Sequence, residues 1–146
     1  MKLPEYVTNE EVKRVCKELT IRDWTTLAEL KVLLREARVI LSKVNTGKMR
    51  ISLEDFRQGL EVELEHGKMF KDANVTNNHP ILTGKIVMAH FKESLDYYKR
   101  LEVTEIEGDL LKAIVAKKDM AKVRTLYKKL AKAKRILSQA ESDQLA

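Results

Sequence analysis

Two glutamate–histidine pairs carry the residue types and spacing that chemistry could use. Glu63 and His66, and His90 and Glu93, each stand three residues apart. On a helix that spacing puts both members of a pair on one face. Imidazole nitrogens and carboxylate oxygens are ordinary ligands for a zinc-like ion. Bundle-type di-metal proteins use helical pairs of this sort, with further carboxylates closing the shell. The chemistry these four residues offer is metal binding, or a metal-dependent reaction built on it.

The elements that carry the pairs weigh against a shared ion. Ser52 caps a helix with Leu53, Phe56, Leu60 and Leu64 on one side, which Gly67 closes. Residues 68–80 form a long loop rich in Asn, and a second helix is expected over 81–100. His66 then ends its helix while His90 lies nine residues into the next, an axial offset of roughly 13 Å. Antiparallel packing would bring His66 to the start of the later helix and His90 to the region of Arg57. Glu61, Glu65 and Asp96 could add carboxylates, but none repeats the motif. The favoured expectation is a polar network of His90, Glu93 and Tyr97 on successive turns of one helix, with Arg57 or Arg100 in reach. No shared metal and no cofactor is expected.

The rest of the chain reads as helix. Apolar residues recur at helical spacing over about 9–20, opened by a Thr8/Glu11 capping pair, and over 27–44. The helix at 81–100 has apolar residues on three sides, which predicts the buried centre of the domain, with Ile86, Phe91 and Leu95 inside. Two helices follow, over 104–116 behind a Thr104/Glu107 pair and over 119–140 behind Asp119. The last places Met120, Val123, Leu126, Tyr127, Leu130, Ala133 and Leu137 on one face. With no strand pattern and no internal repeat, the fold class is all-α: a single domain over 1–146, a compact bundle of five or six helices.

Composition removes several function classes. One cysteine, Cys16, excludes an internal disulfide or a cysteine zinc cluster, and its apolar position predicts a buried, inert thiol. No G-x-S-x-G, HExxH or phosphate loop occurs, and the two TGK triplets lack a glycine frame. MKLPEYVTNEEV has no apolar segment of signal-peptide length, and no stretch approaches the ~20 apolar residues of a membrane span. The chain is expected in the cytosol, or in a particle assembled there, without membrane contact. The net charge of +6 is concentrated: nine basic residues and one acid lie between Lys117 and Arg135, leaving about −2 elsewhere.

Residues 52–102 also carry motifs: SLEDFRQGLEVELEHG, then NVTNNHPILTGKIVMAHFKESLDYYKRLE. These resemble an uncharacterised domain family spread through bacteria, phages and large DNA viruses, whose members carry ELEHG, an NVTNDDP-like loop, TGKIALAHL and PDYYxRLE. The resemblance singles out Glu63, Glu65, His66, Asn77, Thr83, Lys85, His90, Asp96, Tyr97 and Tyr98. It implies a fold unit and no assigned reaction. Two departures stand out. Asn78 and His79 replace an acidic pair, so a cation held by that loop would be held more weakly here. Ser94 and Leu95 stand where a proline often precedes DYY.

Three functions from different classes follow. The first is a non-enzymatic interaction or structural protein, an assembly adaptor or particle component, with a protein partner or self-association; the face Met120/Val123/Tyr127/Leu130 could be its surface, or ordinary core. The second is a metal-binding protein or enzyme using Glu63, His66, His90 and Glu93. The third is weak, non-specific nucleic-acid binding through Lys117, Lys118, Lys122, Arg124, Lys128, Lys129, Lys132 and Arg135. That segment has only Tyr127 for base stacking, so a solvated Lys-rich face is the plainer reading.

Overall fold

The computed structural model describes residues 7–146; the opening residues 1–6, which are the first half of the stretch read above for an export signal, lie outside the described residues. The elements are α1 (Asn9–Glu18), a 3-10 turn (Trp24–Thr26), α2 (Leu34–Val44), α3 (Leu53–Met69), a 3-10 turn (Lys71–Ala73), α4 (Pro80–Glu93), α5 (Tyr97–Val115) and α6 (Met120–Leu145). The fold is all-α, with six α-helices and no strand among the described residues. The described chain divides into two units, 7–92 and 93–146.

In the first unit, the Thr8 hydroxyl accepts from the Glu11 N–H at 3.2 Å and starts α1, which buries Val12, Val15 and Cys16. The second helix is shorter than its apolar spacing predicts, because side chains capture the backbone ahead of it. Glu61 accepts from the Val32 N–H at 2.9 Å, and Glu36 from the Leu33 N–H at 3.1 Å. Arg22 donates to the Lys31 carbonyl at 2.6 Å while its guanidinium also holds Glu36. Those bonds satisfy the extended backbone before Leu34 and leave no gain in continuing the helix backwards.

Gly67 does not close α3, which runs to Met69. It instead admits the 74–78 loop: a Cβ there would stand 2.0 Å from Asn78 Oδ1 and 2.9 Å from Asn74 Nδ2. Asn74 Nδ2 donates to the Gly67 carbonyl at 3.0 Å. Asn77 and Asn78 take left-handed φ values of 48° and 56°, a region asparagine enters more readily than most residues. His79 then starts α4 by accepting the N–H groups of Ile81 and Leu82 on Nδ1, at 3.2 and 3.4 Å. On α4, Gly84 lies against α2, where a Cβ would stand 2.7 Å from Ile40 Cγ2.

The helix expected over 81–100 is two helices. α4 ends at Glu93 and α5 begins at Tyr97. Asp96, only 2% exposed, accepts from the Ser94 hydroxyl and from Arg100 Nε and Nη2, both at 2.8 Å. These local bonds fix a turn where apolar periodicity alone reads straight through. Phe91 is buried, Ile86 is half-buried, and Leu95, in the turn, is 42% exposed, against the expectation for it. Thr104 starts no helix; inside α5 its hydroxyl donates to the Arg100 carbonyl at 3.1 Å.

The second unit is a hairpin of α5 and α6. Its core is Val103, Leu130 and Ala133, flanked by Ile106, Leu110 and Leu137. Asp119 starts α6, accepting from the Lys122 N–H at 2.9 Å.

Candidate functional site

Glu63 stands between two imidazoles. Its Oε1 is 3.5 Å from His90 Nε2 on α4, and its Oε2 is 4.0 Å from His66 Nδ1, one turn further along α3. The axial offset between the histidines is thus bridged by a carboxylate from α3. Glu63 keeps His66 near it on α3 and also faces His90, a residue of the other pair. His90 and Glu93 both lie on α4, with Glu93 its last residue, whereas Tyr97, expected on the same helix, opens α5.

Three donors around a zinc-like ion, each about 2 Å from it, stand roughly 3.4 Å from one another. The 4.0 Å gap to His66 exceeds that. Among the described residues, no three His, Cys, Asp or Glu side chains are grouped to hold a metal ion. Beside Glu63 and His66 lies a cleft of about 250 Å³, lined also by Asn74, Thr76, Thr83 and Phe70. It falls below the ~300 Å³ at which ligand pockets usually begin. A larger cleft of about 620 Å³ is lined by Trp24, Leu27, Leu30, Lys68, Lys71 and Asn74 among others. Cys16 is buried, burial pushes its thiol up from the usual range, and the Trp24 N–H donates to its sulfur at 3.5 Å.

Several residues singled out by the resemblance hold the fold. Asn77 Nδ2 donates to the Val7 carbonyl at 3.2 Å and to Asn9 Oδ1 at 2.9 Å, tying the loop to the start of α1. Thr83 and Asp96 are buried, and Tyr98 packs edge-on against Tyr97 with ring centroids 5.2 Å apart. Lys85 and Glu65 are exposed. Two polar centres escaped the sequence reading. Glu36, fully buried, is one; it precedes buried Ile40 by four residues, the spacing of one helix face, which was the available signal. His79 is the other, and only its place just before Pro80 pointed to a helix start.

On the hairpin, Lys117, Lys118, Lys122, Arg124, Lys128, Lys129, Lys132 and Arg135 are all exposed. The apolar face expected for α6 divides: Leu130 and Ala133 are buried, whereas Met120 and Tyr127 are each 64% exposed. Two ion pairs cross from α5 to α6, Arg100–Glu141 and Glu107–Lys134, both at 2.7 Å. They mark one side of the hairpin. Leu111 and Ile114 follow Glu107 by four and seven residues, and Tyr127 precedes Lys134 by seven, so all three share that side. Met120 lies two further turns back from Tyr127. Towards the α5–α6 turn, the row of ion pairs therefore gives way to four exposed apolar side chains.

Residues 12–107 match the family model described as Protein of unknown function (DUF5661), and the chain belongs to that family. The matched segment takes in most of the first unit and α5 as far as Glu107. No curated protein and no solved structure matches.

Proposed function

We propose that this DUF5661 member is a non-enzymatic helical interaction protein that docks a protein partner through its α5–α6 hairpin. One observation carries the reading: Leu111, Ile114, Met120 and Tyr127 are more than half exposed and share one side of the hairpin. Two helices have a single mutual interface, which here is filled by Val103, Leu130 and Ala133. Apolar side chains left in water forgo about 25 cal/mol for each Å² they could bury. Contiguous exposed patches of a few hundred Å² commonly mark interaction sites. The first unit serves as scaffold, its polar residues engaged in caps and turns. The motifs ELEHG, NVTNNHP, TGKIVMAH and DYYKRLE favour a setting shared by bacteria, phages and large DNA viruses, where an assembly adaptor or particle component would work.

The test compares the wild type with a Leu111→Ser, Tyr127→Ser variant. A partner captured from source cells is then purified and reconstituted. An affinity reduced at least tenfold by the double variant, with unchanged circular dichroism, supports the reading. Equal affinity for both proteins, or a turnover activity that requires Glu63 or His90, refutes it.

A further inference from the structure

The four apolar side chains sit in a positive rim. Arg124 follows Met120 by four residues and precedes Tyr127 by three, which places it beside both. Lys117 follows Ile114 by three residues in the turn that leads to Met120 and holds a left-handed φ of 50°, while Lys118 lines a cleft with Asp109, Lys112 and Lys122. Among the described residues Lys117, Lys118 and Arg124 make no ion pair. The nearby acids are engaged: Glu107 with Lys134 at 2.7 Å, Asp109 with Lys112 at 3.4 Å, and Asp119 as the cap of α6. The patch thus presents apolar groups beside Lys117 and Arg124, two cations that no ion pair holds, with the capping Asp119 the one acid in the same turn.

Resting on the docking reading above, we infer that the occupant is an acidic amphipathic helix of another protein. Tyr127 and Met120 are about two helical turns apart, near 10 Å, and Leu111 and Ile114 sit one turn apart on the neighbouring helix. Such a two-helix surface accepts a third helix whose apolar residues recur at i, i+3, i+4 and i+7. Glu and Asp flanking that stripe would meet Arg124 and Lys117, and would raise the association rate as well as choose the partner. A second copy of this chain offers the same positive rim, so a symmetric pairing of the patches sets like charges together. Phosphates would satisfy the cations but leave Leu111, Ile114 and Met120 in water.

The experiment uses the full chain and a fluorescein-labelled amphipathic peptide with Leu at those positions and Glu elsewhere. A Leu/Lys peptide of the same pattern, a 20-nucleotide oligothymidylate and anionic phospholipid vesicles are the comparison arms. The expected result is saturable binding of the Glu peptide, at least tenfold tighter than the Lys peptide. Leu111→Ser with Tyr127→Ser should weaken it at least tenfold, Arg124→Glu several-fold, with helicity unchanged. Comparable binding of both peptides overturns the proposal, as does indifference to these substitutions. Binding confined to the oligonucleotide or to the vesicles overturns it too, and so does dimerisation by light scattering that Tyr127→Ser abolishes. The two readings fail separately. If the native partner needs Leu111 and Tyr127 while the Glu peptide does not bind, docking stands and the acidic chemistry falls.

Discussion

Glu63 Oε1 lies 3.5 Å from His90 Nε2, so the two polar residues meet across α3 and α4 and not along one helix. Both are partly sheltered, Glu63 at 14% and His90 at 24% side-chain exposure. Removing the imidazole deprives a half-buried carboxylate of a neighbour that can donate to it. His90→Ala is expected to lower stability by about 1 kcal/mol, the low end for leaving a polar group short of a partner. Zinc provides the opposing outcome. An ion shared by Glu63, His66 and His90 would add about 2.7 kcal/mol at a hundredfold excess over its Kd. Thermal melts with and without zinc should coincide; a zinc-dependent rise that His66→Ala removes would show a metal site.

The buried Glu36, paired with the partly exposed Arg22, predicts acid sensitivity. Burial pushes the Glu36 carboxyl up, but hydrogen bonds from Arg22 and from the Leu33 and Arg22 N–H groups outweigh it and hold it below the usual 4.5. A depressed carboxyl contributes stability that is present above 4.5 and is lost as pH falls through the folded-state value. Denaturant melts should weaken between pH 5 and 3, and Glu36→Gln should flatten that slope. Arg22→Ala, which strands the carboxylate inside, should cost about 3 kcal/mol near neutral pH. A variant as stable as the wild type would show that the pair does not hold the 27–33 segment.

His79 predicts a second, milder pH dependence. To accept from two backbone N–H groups, Nδ1 must be unprotonated, which puts the ring proton on Nε2, 3.9 Å from Glu11 Oε1. Burial lowers the His79 value below 6.5, despite the opposing pull of Glu11. Stability is therefore full above 6.5 and declines as pH falls through the lowered value. His79→Asn, which caps without titrating, should remove the decline; His79→Ala should cost about 1 kcal/mol at pH 7.5. An unchanged pH profile in His79→Asn would dismiss the imidazole as the titrating cap.

What could be read from sequence divides along a physical line. Helical class, the caps at Thr8, Ser52 and Asp119, and the buried residues Phe56, Leu60 and Leu64 all follow from local spacing. The failures lie where side chains at a distance satisfy backbone groups. Glu61 reaches Val32 across 29 residues, so nothing near Val32 announces that the helix starts at Leu34. The turn at 94–96 depends on Asp96 being buried against Arg100, while apolar residues continue on both sides of it. In the candidate site, residue types were legible, but which carboxylate meets His90 depended on how the Asn-rich loop returns the chain.

Gly84 and Gly108 should respond oppositely to alanine. At Gly84 the new Cβ would stand 2.7 Å from Ile40 Cγ2 and 3.3 Å from Val44 Cγ1, so α2 and α4 must move apart. Overpacking of that kind costs about 1–3 kcal/mol. At Gly108, inside α5, a Cβ meets nothing within 4 Å. There alanine should gain up to about 1 kcal/mol from helix propensity. Chemical denaturation of the two single variants checks both signs. A neutral Gly84→Ala would mean that this triplet, TGK, is not a packing glycine and would reopen its place in a ligand site.

The basic face of α6 gives the last expectation. Its seven exposed cations, with Lys117 and Lys118 in the turn before it, could neutralise phosphates, and such binding gains chiefly from counterion release, so log affinity falls linearly with log salt. Base recognition needs groups that read edges or stack on them, and the segment from Lys117 to Arg135 offers one aromatic, Tyr127. Any DNA or RNA association should be weak, indifferent to sequence and gone between low and physiological salt. Lys128→Glu with Lys132→Glu should remove it, because both lie on the side of α6 away from Leu130, without weakening the apolar docking at Leu111 and Tyr127. A sequence-dependent complex that survives physiological salt would shift the function of this helix from protein partner to nucleic acid.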